Sequence, residues 1–383
     1  MSRPRLLFLV TEDWYFWMHR LPLARAARDA GYEVIVASRF ANHRQRIEDE
    51  GFRSIPIRLR RRSRNPWAEL LAIAELIQIY RRERLRIVYH VAVQPVIYGS
   101  WAARIARVPA VVNTFAGLGH VFVAQDWRAS ILRGFIRLAC KSALSMPNCR
   151  VIFENPDDRS LLVESGIVSS EKTRVILGGV DVTYFGPTPE PEGTPVILLA
   201  SRMLWTKGVR EYVEASQYLK DKGVECRVVL AGILDPDNAA AIPESTLQRW
   251  HSEGKIEWWG TRDDMPNVLA QANIVVLPTT YGEGVPRILM EAAAVGRAIV
   301  ATDVPGCREI VRHGENGLLV PPGDLEALAE AMMKLLRDPV LRKRMGARGR
   351  EIVTATFLEE RVVRETLAVF RGLLGERGKG LEI

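Results

Sequence analysis

Cysteine is scarce in this chain of 383 residues: Cys140, Cys149, Cys226 and Cys307 are scattered singly. They show no CxxC spacing and no metal-ligand cluster, so the expectation is buried, reduced thiols and no bound metal. Long hydrophobic runs are lacking too. No segment approaches about 20 uninterrupted apolar residues, which excludes a helical membrane span. The basic start at residues 1–5 leads only to a short apolar run at 6–10, too short for the core of a secretory signal. A soluble, intracellular protein is therefore expected. Acidic charge is in deficit, 45 Asp and Glu against 53 Lys and Arg, for a formal charge of +8. The excess is local: Arg53, Arg58, Arg60, Arg61, Arg62 and Arg64 form one cluster, and Arg81, Arg82, Arg84 and Arg86 a second. No helix-turn-helix, RNP or zinc-finger pattern accompanies them, so no nucleic-acid partner is expected. A solvated basic face, an anionic membrane surface and a diphosphate-bearing acceptor stay open.

Apolar patterning, by contrast, is abundant. Hydrophobic residues make up 48% of the chain, enough for a large core, and the length favours two or three domains. The first half alternates strands at 5–10, 32–38, 54–59, 87–90, 109–113, 151–153 and 174–177 with helices at 21–30, 44–50, 67–82, 96–106, 129–144 and 157–164. Residues 12–20 read as a turn rich in aromatics. The helix at 129–144 mixes apolar and basic residues, and reads either as a core-facing helix or as a membrane-surface one. Residues 186–195 are dominated by Pro, Gly and acidic residues and read as a linker. A second alternating set follows, with strands at 196–200, 225–231, 256–259, 274–277, 298–301 and 317–320. Its helices fall at 209–220, 239–252, 265–270, 288–295, 307–311 and 325–336, and the tail after Thr354 is helical. This pattern predicts two parallel, doubly wound sheets, with a ligand at the carboxyl ends of the strands.

One stretch concentrates the chemistry. Residues 279–292 read as a glycine turn between a buried strand and a helix, with Pro286 suited to the helix's first turn. Free N–H groups and the positive dipole end there favour phosphate. Glu283 lies in the turn and Glu291 about a turn and a half after Pro286. A carboxylate near a phosphate site is suited to sugar hydroxyls. Arg202 and Lys207 follow the strand at 196–200 and supply two cations suited to a diphosphate. Asp235 and Asp237 have the look of a metal motif but read as solvated turn residues.

The ordered set Ser201-Arg202…Lys207-Gly208, Glu283-x7-Glu291, and Pro305-Gly306-Cys307-Arg308-Glu309 followed by His313-Gly314-Glu315-Asn316-Gly317-Leu318-Leu319 resembles the retaining glycosyltransferases of family 4. The first half is similar to the capsule and O-antigen branch through Trp14-Tyr15-Phe16, Arg20-Leu21-Pro22-Leu23-Ala24 and Gly117-Leu118-Gly119. Residues 203–211 are similar to enzymes that add an N-acetylhexosamine to a polyprenyl-diphosphate-linked sugar. The resemblance implies an α/β protein of GT-B fold, two Rossmann-like doubly wound domains facing each other across a cleft. Their bounds would be 1–187 for the acceptor, 188–354 for the nucleotide sugar, and 355–383 for a helix packing back on the first domain. It implies a nucleoside-diphosphate donor, UDP-linked, no metal or other cofactor, a lipid-linked saccharide acceptor, and a cytoplasmic location on the inner face of the plasma membrane.

The family's roles transfer residue by residue. Arg202 and Lys207 would hold the donor diphosphate, and Glu283 the transferred sugar, with the backbone of Gly284, Val285 and Pro286. Glu291 would bind the ribose, with Thr261 and Arg262 near the base. Gly117, Leu118, Gly119, Trp14 and His19 would line the acceptor side. One departure stands out: where many family members carry a histidine after the fifth strand, this chain has Asn113-Thr114-Phe115-Ala116, and His120 comes four residues later. A nucleotide-sugar epimerase of the same fold, or a non-catalytic sugar-nucleotide-binding scaffold, are the rival expectations.

Overall fold

The computed structural model describes residues 3–61, 65–118 and 127–375, and for residues 127–133 the backbone alone. Arg62, Arg64, Gly119 and His120 lie outside the described residues. The chain forms two compact units, Met1–Leu177 with Arg361–Ile383, and Gly178–Glu360.

The first unit holds a seven-stranded sheet of β1 (Arg5–Glu12), β2 (Glu33–Arg39), β3 (Arg53–Pro56), β4 (Ile87–Val91), β5 (Ala110–Phe115), β6 (Cys149–Phe153) and β7 (Thr173–Val175). The order is β3-β2-β1-β4-β5-β6-β7, and all the pairs are parallel. The second holds β8 (Val196–Ala200), β9 (Arg227–Ala231), β10 (Glu257–Trp258), β11 (Ile274–Leu277), β12 (Ala298–Thr302) and β13 (Gly317–Val320), in the order β10-β9-β8-β11-β12-β13, again parallel. Central strands such as β8 and β12 are buried along their whole length, because helices cover both faces. Alternation along β1 sends Leu7 and Leu9 into one core and Leu6, Phe8 and Val10 into the other. In each unit the order reverses at one place, between β1 and β4 and between β8 and β11. Such reversal points open a crevice at the strands' carboxyl ends.

Several expectations need correction. Residues 13–19 form a short helix (Asp13–His19) in place of a turn. The buried Asp13 carboxylate anchors it, its Oδ2 accepting from the N–H groups of Ala41, Asn42 and His43 at 2.8–3.0 Å. β5 continues through Phe115, so Asn113 lies inside a strand and not in a loop. The helix expected from 239 begins at Glu244, directly after Pro243. A helix at Pro339–Thr356 was not anticipated, because Gly346 and Gly349 interrupt its apolar pattern; a Cβ at Gly346 would lie 2.1 Å from the Gly296 carbonyl oxygen, so only glycine allows this packing. Of the four free thiols Cys226 is half-buried and the other three are buried.

The stretch at 186–195 is no loose linker. The Arg297 guanidinium, buried in the second unit, donates to the carbonyls of Thr188 (2.8 Å) and Pro189 (2.9 Å) and to the Thr188 hydroxyl (2.6 Å). Arg342 pairs bidentately with Glu190, both bonds at 2.8 Å. The segment is a strap laid along the second unit, to which residues 178–187 also belong. The chain returns to the first unit through the helix Glu359–Leu374, where Leu367 and Phe370 are buried and Phe370 meets Tyr89 edge-on, centroids 5.5 Å apart.

A buried polar network runs through the first sheet. His90 on β4 bonds Asn113 Oδ1 through Nδ1 (2.8 Å) and the Tyr80 hydroxyl through Nε2 (3.0 Å). Ser100 donates to the same Asn113 oxygen at 3.1 Å, and the Asn113 amide donates to Cys149 Sγ at 3.2 Å. Burial pulls the imidazole down to about 4, against the opposing bond from Asn113. The folded chain therefore accepts fewer protons here than the unfolded one between pH 6.5 and 4. Stability from this site is complete above pH ~6.5 and is lost as pH falls toward 4, by about 3 kcal/mol in all. Asp158 works in the opposite sense, since burial raises its carboxyl to about 6. The comparison is therefore between wild type and His90→Gln: the variant's urea midpoint is expected to fall less between pH 7 and 4.5.

Candidate functional site

The second unit gathers its polar side chains at the carboxyl ends of β8, β9, β11 and β12, on either side of the β8/β11 reversal. The loop after β8 carries Arg202 and then a single 3-10 turn, Trp205–Lys207. Gly208 ends that turn at φ +74, and a Cβ there would lie 1.9 Å from the Pro278 carbonyl oxygen. Only glycine lets the β8 and β11 loops approach this closely. The Thr206 carbonyl accepts from the Thr280 N–H (3.1 Å) and the Thr279 hydroxyl (3.1 Å), which locks the two loops together.

That lock aims Lys207 at Glu283. Their ion pair is 2.5 Å long, and both side chains are largely buried. Glu283 Oε1 also accepts from the Thr279 hydroxyl at 2.9 Å, and Lys207 Nζ lies 5.9 Å from the Tyr281 ring centroid. The loop after β12 supports the turn from behind: Thr302 donates its hydroxyl to the Thr279 carbonyl (2.7 Å), and the Pro305 carbonyl accepts from the Glu283 N–H (3.0 Å). Gly306, at φ +85, packs so closely that a Cβ would lie 1.5 Å from the Gly284 carbonyl oxygen. The Pro305-Gly306 motif thus has a mechanical role, holding the backbone of 283–284.

Arg202 is placed by Asp235, whose Oδ2 accepts from its Nη1 at 2.8 Å. Asp235 is therefore an ion-pair partner in the site and not a solvated turn residue. Val285 is buried, and Pro286 sits just before the helix Arg287–Ala294 as its cap, one position earlier than the sequence indicated. Glu291 is buried in that helix with its Oε1 accepting from Arg287 Nε at 2.7 Å, one turn earlier. Burial raises its carboxyl above the ordinary range, and Arg287 opposes the rise. Thr261 and Arg262 follow the edge strand β10, where Arg262 forms a two-bond pair with Asp264 (2.7 and 2.6 Å). The carbonyl of Gly260 accepts from the Gly232 N–H at 2.8 Å, tying the loops after β9 and β10.

In the first unit the residues assigned to the acceptor divide. Trp14 is half-buried, edge-on to Tyr15 with the Arg61 guanidinium 5.4 Å from its ring centroid. His19 packs on the Tyr15 ring at 4.4 Å. Phe16 is a core residue against Phe8 and Phe52. Leu118 is buried in the core, although Gly117 before it is not, and Gly119 lies outside the described residues. Arg20 is buried and donates to Glu154, just past β6, at 2.9 Å, and to the Tyr15 hydroxyl at 3.4 Å. No local pattern pointed to the Arg20–Glu154 pair, whose members are 134 residues apart. Arg287 was also missed, although its place one helical turn before Glu291 was a signal that could have found it.

Residues 194–338 match the family described as Glycosyl transferases group 1, and residues 5–146 match Glycosyl transferase 4-like. The chain is 27% identical over 351 residues, 88% of it and 91% of the relative, to the N,N'-diacetylbacillosaminyl-diphospho-undecaprenol alpha-1,3-N-acetylgalactosaminyltransferase of Campylobacter jejuni subsp. jejuni serotype O:2. It is 22% identical, over 71% of its length and 72% of the relative's, to the UDP-Gal:alpha-D-GlcNAc-diphosphoundecaprenol alpha-1,3-galactosyltransferase of Escherichia coli. Among solved structures it resembles sucrose-phosphate synthase from Thermosynechococcus elongatus (TM-score 0.79, 21% identity, 97% of this chain and 100% of that one). It also resembles HepE from Anabaena, in complex with UDP and glucose (TM-score 0.77, 18% identity, 95% and 98%).

Proposed function

We propose, from the premise that this chain belongs to the group 1, family 4-like glycosyltransferases of GT-B fold, that it moves a hexosyl unit from a nucleoside-diphosphate sugar to a polyprenyl-diphosphate-linked saccharide. The unit is an N-acetylated hexosamine, the donor is UDP-linked, and the anomeric configuration is retained. The observation that carries this reading is the pairing of two cations with placed carboxylates, Arg202 on Asp235 and Lys207 on Glu283, at the β8/β11 reversal. The names of the two relatives, both acting on sugars borne by diphospho-undecaprenol, support the acceptor class.

The chemistry follows from the charges. Breaking the bond from C1 to the β-phosphate oxygen gives an oxocarbenium-like transition state, and negative charge gathers on the departing diphosphate. Lys207 and Arg202 stabilise that charge, aided by the N-terminal end of the helix Arg287–Ala294. These groups neutralise the diphosphate without a metal. The acceptor hydroxyl attacks C1 from the face the diphosphate leaves, and its proton passes to the departing phosphate oxygen. Glu283 holds Lys207 and reaches the transferred sugar's hydroxyls, while Glu291 takes the ribose. Trp14 and His19 contact the acceptor. The enzyme works in the cytoplasm, peripherally at the inner face of the plasma membrane. The described residues contain no helix long and apolar enough to cross one.

The test is a panel of nucleotide sugars offered with polyprenyl-diphosphate-linked acceptors and read by mass spectrometry. A single added hexosamine, with UDP released, is the expected result. An epimerised sugar formed without acceptor, or donor binding with no transfer to any acceptor, refutes the reading.

A further inference from the structure

The helix Pro66–Glu83 carries an outward face that its position in the fold does not use. Ala72, Leu76, Ile79 and Tyr80 bury its inner side in the first unit's core. Yet Trp67, Leu70 and Leu71 stand 75%, 57% and 60% exposed. Their spacing at i, i+3 and i+4 puts them together on one side of the first helical turns. Further along, exposed Ala74 and Gln78 lead to exposed Arg81 and Arg82. Before the helix, Arg58 and Arg60 are exposed as well. Isolated apolar residues on a surface are ordinary, but three large ones together mark a contact surface.

The carboxylates of the same helix are withdrawn from this face. Glu69 accepts from Gln94 (3.3 Å), Glu75 from the Arg58 N–H (2.8 Å), and buried Glu83 from Arg53 (3.0 Å) and Arg82 (3.1 Å). Residues 58–86 contain nine arginines against three glutamates; of these Glu83 is buried and Glu69 and Glu75 are half-buried, Glu75 lying 3.7 Å from the Arg58 guanidinium. The outward face is therefore apolar at one end and cationic around it. That charge pattern selects an anionic lipid surface, since a lipid interface accepts tryptophan and leucine side chains and attracts arginine to its headgroups. The topology adds a direction. The helix links β3 to the parallel strand β4, so its first turn lies at the strands' carboxyl end, the end that carries Trp14, His19 and Gly117.

We propose that Trp67, Leu70 and Leu71, together with the exposed Arg58 and Arg60 that precede the helix, form the surface by which this protein docks on anionic membranes. The docking brings the acceptor-side end of the first sheet to the bilayer. The idea deepens the lipid-linked acceptor reading and rests on it for its purpose. It also places the contact elsewhere than the helix Trp127–Leu144, where Phe135 and Leu138 are 69% and 68% exposed.

Flotation of the full chain with phosphatidylcholine vesicles, with and without phosphatidylglycerol, needs no donor or acceptor, so it can fail independently of the transferase assay. Wild type is expected to float only with the anionic vesicles, and less as salt rises. The triple variant W67E/L70E/L71E is expected to lose about tenfold or more in partition. Its thermal melt should stay unchanged, because the three side chains are mostly exposed. Brominated lipids should quench a fluorescence component that is missing in Trp67→Phe. The proposal is overturned if the triple variant floats as wild type does, or if F135E/L138E alone abolishes flotation. It is equally overturned if the triple variant changes only the oligomeric state, since a second copy of the chain would then be the occupant.

Discussion

Lys207→Ala is expected to lower kcat by about 10²–10³, the usual cost of removing one preorganised charge from a developing oxyanion. The ammonium sits where the β8 and β11 loops are locked, held by Glu283 at 2.5 Å and beneath Tyr281. In the proposed reaction it is already oriented before the donor diphosphate arrives, so little reorganisation is needed as charge develops. Its loss should appear in kcat more than in donor affinity, because ground-state diphosphate keeps Arg202. Glu291→Ala should behave differently. A ribose contact holds ground state and transition state alike, so donor KM should rise while kcat changes little. Steady-state kinetics on both variants, with circular dichroism to confirm folding, checks the pair. If Lys207→Ala turns over at the wild-type rate, the phosphate role is wrong, and near-normal KM in Glu291→Ala removes the ribose role.

Arg297→Ala is expected to destabilise the second unit by about 3–5 kcal/mol, from the cavity left by a large-to-small change together with donors lost to buried carbonyls. The side chain is 1% exposed. Besides the strap, its guanidinium serves the carbonyls of Leu269 (3.1 Å), Ala270 (3.2 Å) and Val295 (3.3 Å). Truncation removes a donor from each of these carbonyls, although Leu269 keeps the Ala272 N–H and Val295 the Thr188 N–H, and it opens a cavity where the stem was. For a unit of this size the corresponding fall in melting temperature is about 10 °C. Arg297→Met, which keeps the apolar stem, should recover part of it. Calorimetry reads the shift, and hydrogen exchange at β8 and β11 assigns it to this unit. An unchanged transition in Arg297→Ala would mean that water replaces the guanidinium at no cost.

The sheets were legible because their strands are continuous apolar runs. β8, β11 and β13 fall on the expected residues without adjustment. The placement of Arg202 and Lys207 just past the end of β8 was legible too. Their partners were not. Arg202 meets Asp235 across 33 residues and Lys207 meets Glu283 across 76, separations that only the strand order brings together. The strap at 186–195 failed for the same reason. Its composition is that of a linker, and nothing local shows that Arg342 holds Glu190 from 152 residues away. Asp13 went unread because its role is to cap the backbone at Ala41–His43, a contact that leaves no periodic trace.

The chain leaves the first unit after Leu177 and re-enters it at Arg361. One of that unit's cores is therefore completed by Leu367 and Phe370, among the last described residues. During synthesis the second unit emerges whole before the first possesses all its parts. Until the helix Glu359–Leu374 arrives, Tyr89 lacks the ring that covers it, and the nascent first unit exposes an apolar face to solvent. The order of folding is thus inverted relative to the usual N-terminal-first sequence: the central unit can close first, and the flanking unit seals only once the helix Glu359–Leu374 has left the ribosome.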